Sequence, residues 1–390
     1  MPRTKRMRKG TQETSTSNAF GISSITAGQA ILANLLILAF AIAAGLVENS
    51  NSELYYELVQ EDGTLEWMTF WAFFLAAIGF VLAARSQKSA GAGMPWLTLG
   101  LALFSFVVAM EEISWGQRIL GYRPPEYFLQ QNFQQEFNVH NVFDTGLRKL
   151  ALKATILGFG IVLPLLALAE PVRKLVRRHG PAIAPLGLIP AFVAAYWIYD
   201  DYPWRFSGEI VELMLGLGFL FAALPLVGST KLLPDNVGRK IVTAFAATAV
   251  LGFASFAYSR TSTGNDPERI ATARTELEAL AGDFKESGRP ISKCGTHKRV
   301  FSWAEKYERL DQLADGAFAG LVDQGLPESR ASYFIDPWNT AYWIRHRCSK
   351  SKQREIAFLY SFGPNRRRDS TAWDLLGDDV GIVLFERGLD

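Results

Sequence analysis

Seven stretches of this chain are apolar for about twenty residues each, the length a helix needs to cross the hydrocarbon of a bilayer. They fall at 26–47, 65–85, 95–115, 149–169, 182–200, 208–228 and 240–259, are rich in Leu, Ala, Phe, Ile and Gly, and have no charge at their centres. Lipid offers no partner to backbone N–H and C=O groups, so such segments fold as helices or not at all. The expected fold class is an α-helical integral membrane protein with seven transmembrane helices over residues 26–259. Pro185 and Pro190 predict a kink in the fifth span.

Charge divides the rest of the chain. Residues 260–390 are a third of the length, yet they hold half of the 40 Lys and Arg and slightly more than half of the 38 acids. That density belongs to a soluble domain. Residues 1–25 are basic and polar, no signal-peptidase site follows the first apolar run, and they read as a disordered cytoplasmic tail. A net charge of +2 gives no reason to expect a nucleic-acid partner.

The basic residues set the orientation instead. With the N-terminus inside, fourteen Lys and Arg fall on the cytoplasmic side, among them Arg85, Lys88, Arg173, Lys174, Arg177 and Arg178; five fall outside, Arg118, Arg123, Arg148, Lys149 and Arg205. An odd number of spans then places residues 260–390 outside. In a Gram-negative bacterium that is a multi-pass inner-membrane protein with a periplasmic C-terminal domain. Cys294 and Cys348 lack the CxxC spacing of a structural zinc site, and an oxidising compartment predicts a disulfide between them.

The acids are distributed less evenly still. Of 18 carboxylates before residue 260, only Glu13, Glu170 and Asp235 fall on the cytoplasmic side. Acids contribute little to topology, so their gathering at the outer helix ends needs another reason. Glu57, Glu61, Asp62 and Glu66 lead into the second span, Glu111 and Glu112 close the third, and Glu209 and Glu212 open the sixth. Asn132, Glu136, His140 and Asp144 recur every four residues, which on a helix would share one face. Glu112, Glu136, His140 and Asp144 are therefore candidate ligands of a divalent metal, zinc by donor type. The plainer reading is an outer loop whose polar residues meet head groups and water. Glu111 and Glu112 also have three accounts, one of them the passage of an ion or proton. Arg118, on the side of Glu111 if the helix continues, would neutralise one of them; alternatively Glu111, Glu112, Glu136 and His140 form a catalytic set.

The acidic–aromatic stretch EDGTLEWMTFWAFF at 61–74 is similar to one in the CREST-type membrane hydrolases, which include the alkaline ceramidases. That resemblance implies seven spans and a zinc-dependent site built from membrane-end residues. The family's late HxxxH pair is absent here. The Glu111–Glu112 pair resembles the glutamate-pair intramembrane proteases of the CAAX-processing type, without their EExxxR spacing.

Toward the C-terminus, FIDPWNTAYWIRHRC and FLYSFGPNRRRDSTAWDLLGDDVG resemble the globular domain of type II secretion major pseudopilins. Asp336, Pro337, Trp338, Tyr342, Ser361, Gly363 and Asp379 followed by Val380 carry the match. It implies a helix followed by a small antiparallel sheet, with calcium held near Asp369, Asp374, Asp378 and Asp379. Arg366, Arg367 and Arg368 replace the family's glycines, and the plainer reading pairs them with those acids. The residue pattern agrees on fold. DPERIATARTELEALAGDFKE has a helix start at Asp266-Pro267, and AYWIRH, EIAFLYSF and GIVLFERG are strand-like runs between polar turns.

Three function classes follow. One is a membrane-embedded hydrolase or transferase acting on a lipid or lipid-linked substrate at the outer leaflet. The second is a non-enzymatic part of an envelope secretion or polymer-export assembly, docked to its protein partners through the C-terminal domain. The third, an ion-coupled carrier, is disfavoured because the acids lie at one end of the spans and no internal repeat is present.

Overall fold

A computed structural model describes residues 25–60, 63–89, 93–132, 134–228, 236–261, 266–286 and 294–388. The expected N-terminal tail and the candidates Glu61 and Asp62 lie outside the described residues. Among those described, five helices are long and apolar enough to cross a membrane. They are α1 (Ala27–Ser50), α3 (Thr64–Ser89), α7 with α8 (Thr145–Leu157 and Leu163–Leu166), α11 (Ser207–Ala223, continuing to Leu226) and α12 (Val237–Thr261). The short α2 (Ser52–Val59) lies between the first two. A sixth crossing follows if α4 (Trp96–Glu112) and the helical turns of Ser114–Leu120, which include α5 (Gln117–Leu120), count as one span bent by 67°.

The bundle is organised around α3 and α11. The apolar stretch of α11 is 78% buried and that of α3 61%, against 22–28% for α1, α7–α8 and α12, so the last three present most of their surface to lipid. Ile31, Leu35, Ile42 and Leu46 form such a face on α1. Helices in lipid gain little from hiding apolar surface from one another, and close backbone approach stabilises them instead. A Cβ at Gly216 would stand 3.0 Å from Ala72 and 3.1 Å from Phe73, and one at Gly79 3.0 Å from Ala223, closer than side chains ordinarily pack.

The segment expected to be a kinked fifth span differs. Its helix, α10 (Ile189–Asp201), has 13 residues, preceded by a 3₁₀ turn at Leu186–Leu188. Pro190 lies in the first turn of α10 and Pro185 caps the 3₁₀ turn. A proline lacks the N–H that the first helical turn leaves unpaired anyway, so here the prolines start helix instead of bending it. An amphipathic basic helix, α9 (Glu170–His179), precedes it. The break between α7 and α8 is a π-helical turn at Gly158–Val162.

The C-terminal domain is a long helix on a small sheet. α13 (Pro267–Glu286) packs on four antiparallel strands, β1 (His297–Arg299), β2 (Trp343–Ser349), β3 (Arg354–Ser361) and β4 (Val380–Gly388), in the order β1-β2-β3-β4. Alternation along β2 and β3 sends Ile344, Ala357 and Leu359 into a core shared with Leu277, Leu280 and Phe284 of α13. Asp336 shows what the DPWNT motif does. Its buried carboxylate accepts from the Trp338 and Thr340 amides at 2.9 and 2.8 Å and from the Ser361 hydroxyl at 2.5 Å, stapling this loop to the end of β3.

Cys294 and Cys348 lie at disulfide distance with Cα atoms 5.6 Å apart, closing a loop of sequence separation 54. Cys348→Ser is expected to lower the domain's stability by about 2–4 kcal/mol. Non-reducing peptide mapping of protein from its native membrane should find the linked pair; free thiols there would refute the bridge.

Candidate functional site

The acids gather because several helix ends and one irregular loop meet on the same side of the bundle. At the end of α4 the chain leaves its helix abruptly: Ser114, Trp115 and Gly116 have φ of 46°, 54° and 80°. Positive φ costs a non-glycine residue energy, so neighbouring contacts must hold this bend. They are visible. The Trp115 indole donates to Glu111 at 2.7 Å, and the Ser114 hydroxyl donates to Glu136 at 2.7 Å.

The described residues between Asn132 and Asp144 do not form a helix, so the four-residue spacing of Asn132, Glu136, His140 and Asp144 does not put them on one face. The helix α6 (Glu126–Gln131) stops at Asn132, whose side-chain amide donates to the carbonyls of Glu136 and Asn138 at 2.8 and 2.9 Å. An Asn that bonds nearby backbone competes with helix, and here it wins. Asp144 caps α7, accepting from the Gly146 and Leu147 amides at 2.8 and 3.1 Å. Its carboxylate is therefore committed to a helix terminus.

Glu111 is also committed. It accepts from the Val139 and His140 amides at 2.6 and 3.0 Å, and one oxygen stands 3.2 Å from His140 Nδ1. It anchors the loop to the end of α4. Glu136 is buried and forms an ion pair with Arg118, and Arg299 of β1 stands 3.6 Å from the same oxygen. Burial pushes this carboxyl up, but the Arg118 and Arg299 guanidiniums outweigh it and hold Glu136 below the usual carboxylate range. Arg118 thus neutralises Glu136 and not the Glu111–Glu112 pair, because the bend at Ser114–Gly116 carries it away from the α4 axis.

Glu112 is different. Among the described residues no hydrogen bond or ion pair reaches its carboxylate, and its electrostatic neighbours are Glu212, Glu209 and Glu111. Glu112, Glu209, Glu212 and Glu66 line a cavity of about 1590 Å³. Its floor, between the spans, is apolar, with Phe73, Phe104, Val107 and Leu215. Tyr55, Tyr199 and Tyr202 border the acids, and His140 opens onto the same space. Of the expected catalytic set, Glu112 and His140 line the cavity, His140 with its Nδ1 against Glu111, whereas Glu111 and Glu136 are bound into its wall.

The sheet domain supplies the roof. His297, Trp343, Arg345 and Arg347 line the cavity from β1 and β2. His297 Nε2 stands 2.7 Å from the Tyr360 hydroxyl, and its ring stacks on Trp343 at 4.6 Å. Burial first, then the charges of Arg345, Arg368 and Arg299, hold this imidazole well below its usual range. Sequence reasoning missed His297. Its signal was a histidine in a short alternating run, HKR, that only pairing with β2 identifies as a strand.

Among the described residues, the partners of Arg366, Arg367 and Arg368 given by hydrogen bonds of their guanidiniums lie in the membrane half. These bonds strap the domain to the membrane half. Arg366 donates to the Arg118 carbonyl at 3.0 Å, Arg367 to the Ser259 hydroxyl at 2.7 Å, and Arg368 to the Tyr56 hydroxyl at 2.8 Å and to Gln60. Gly121, at φ 70°, leaves the space that the Arg366 guanidinium fills. Leu129, Ile335 and Ala341 bury a small apolar contact beside it.

The expected calcium acids are spent locally as well. Asp369 accepts from Asn365 and from the Asp378 amide at 2.8 and 2.9 Å, and Asp374 pairs with Arg354 at 3.1 Å. Asp379 accepts from the Ser370 amide at 2.8 Å, and burial pushes its carboxyl up to about 7. Asp378 keeps one buried oxygen without a partner among the described residues. No three His, Cys, Asp or Glu side chains among the described residues converge closely enough to hold a metal ion, so neither expected ligand set is assembled.

Comparison with protein-family models, with curated proteins and with solved structures finds no match to this chain.

Proposed function

We propose that this chain is a membrane-embedded hydrolase or transferase acting on a lipid or lipid-linked molecule at the outer leaflet. One observation carries the reading: a single cavity joins an apolar floor between spans, a band of half-buried carboxyls and a polar roof. An amphiphile has that same order of chemistry along its length. A carboxylate at such depth is costly unless it is paired, hydrated or in use, and Glu112 has no pairing cation among the described residues. In this reading Glu112 draws the proton from water or an acceptor hydroxyl. Glu212, on the facing helix, delivers one to the leaving group.

The finer architecture belongs to the same proposal. The N-terminus is cytoplasmic and the sheet domain periplasmic, in the inner membrane of a bacterium. The 13 residues of α10 rise about 20 Å and become a seventh crossing only with the turn and extended segment before them. The helix followed by an antiparallel sheet supports a pseudopilin-like domain, used here as a lid on the cavity and not as a filament subunit.

The test is turnover. The full chain, reconstituted in nanodiscs with a total polar lipid extract, should convert one lipid class, seen by mass spectrometry as loss or exchange of a head group or acyl chain. If every class is unchanged after prolonged incubation, the non-enzymatic reading as an envelope-assembly component replaces this one.

A further inference from the structure

We propose that the sheet domain recognises a phosphate-bearing head group on the amphiphile that occupies the cavity. This rests on the reading of the cavity as a lipid site, and it adds the class of substrate.

The argument starts from strand alternation. Residues two apart on a strand share a face and stand about 7 Å apart, so Trp343, Arg345 and Arg347 of β2 point to one side of the sheet. β1 pairs antiparallel with β2, His297 opposite Arg345 and Arg299 opposite Trp343, so these two side chains join the same face. The opposite face carries Tyr342 and Ile344 into the domain's own core. One face of the sheet is therefore structural, and the other is a basic and aromatic surface closing the cavity.

Some of those cations are already committed. Arg299 lies 3.6 Å from Glu136 and 4.3 Å over the Trp343 ring, and Arg368 holds Tyr56 and Gln60. Arg345 bonds the Tyr56 hydroxyl and Arg347 lies 5.8 Å over the Trp373 ring, yet each keeps a buried Nε–H with no acceptor among the described residues, and both side chains line the cavity. Lys352, from the turn between β2 and β3, continues the row with its ammonium 5.1 Å from the Trp373 ring and 3.8 Å from Glu53, in an exposed pair that water screens. The roof's own acids do not cancel this charge, since Asp374 pairs with Arg354 and Asp369 accepts from Asn365 and the Asp378 amide.

A buried guanidinium N–H without an acceptor is costly, and that cost disappears when a ligand oxygen fills the place. The planar Arg fork suits the oxygens of a phosphate, which it engages with two parallel bonds. Two arginines and a lysine in a row supply donors in several directions, which suits the several oxygens of a phosphate better than the two of a lone carboxylate. Phe73, Phe104, Val107 and Leu215 hold the apolar chain, and the carboxyls of Glu112 and Glu212 lie between the two ends.

The experiment is calorimetric titration of the full chain in non-ionic detergent with three probes: dihexanoyl phosphatidic acid, dihexanoyl glycerol and inorganic phosphate. The phosphatidic acid should bind at least about tenfold more tightly than either of the others, one decade being what a single good charge-assisted contact supplies. Arg345→Gln/Arg347→Gln should remove that preference and leave dihexanoyl glycerol binding unchanged, and Arg345→Lys/Arg347→Lys should restore it in part. An unchanged melting temperature shows that the domain is still docked. If the variant unfolds, the wild-type preference among the three probes decides alone. Equal binding of the two lipids overturns the head-group assignment while leaving the lipid cavity standing. Inorganic phosphate binding as tightly as the lipid overturns the amphiphile as the source of the phosphate. Binding of neither lipid overturns the reading of the cavity itself.

Discussion

Glu136→Gln is expected to destabilise the protein by about 3–5 kcal/mol, the cost of leaving buried cations without their counter-charge. Glu136 joins three parts of the chain. Ser114 and Arg118 come from the bend after α4, the carboxylate from the loop at 132–144, and Arg299 from β1 of the C-terminal domain. Glutamine keeps the shape and one acceptor but strands two guanidiniums in a wall where Arg299 is only 5% exposed. The melting temperature in detergent should fall, and limited proteolysis should cut between the two halves earlier than in the parent. Arg118→Gln combined with Glu136→Gln should recover part of the loss, since one of the two stranded charges is then gone. A loss below about 1 kcal/mol would place Glu136 among ordinary surface ion pairs and remove it as the junction of the two halves.

Glu112→Gln is expected to do the opposite: stability stays near the parent value while turnover falls by about 10²–10⁴, the usual contribution of a general acid or base. No cation is stranded by the change, because none pairs with Glu112 among the described residues. The measurement is initial rate on whichever lipid the nanodisc assay identifies, alongside the melting temperature of the same preparation. Full activity in a folded Glu112→Gln protein would sink the assignment of Glu112. Comparing the two glutamate variants separates a carboxylate that holds the structure from one that faces the substrate.

The candidate site was partly legible in the residues. Clustering of acids at the outer helix ends was visible without coordinates, because charge is excluded from the middle of a span and each exception stands out. The partners of those acids were not. The reading of 111–118 as continuous helix aligned Arg118 with Glu111, whereas the positive φ at Ser114, Trp115 and Gly116 sends it to Glu136 instead. A period of four from Asn132 to Asp144 mimicked a helical face. Side-chain bonds from Asn132 to the nearby backbone and the cap made by Asp144 turned that segment into a loop. His297, Arg345 and Arg347 were not singled out, as their importance depends on pairing a three-residue strand with one that begins more than forty residues later.

What the sequence determined by itself was that several long apolar helices form, although five or six among the described residues are long and apolar enough to cross a membrane where seven were expected. Their presence follows from local composition, since the solvent, lipid or water, acts on each segment separately. The short sheet after α13 belongs to the same class, because alternation along each strand is a local pattern. Tertiary structure decided which acid meets which base, and it decided that Arg366, Arg367 and Arg368 hold the two halves together. Ion pairs and cavity walls are made between segments far apart in the chain, and the geometry that selects one partner over another is set by bends such as Ser114–Gly116. A bend of a few residues leaves composition unchanged and redirects every side chain that follows it.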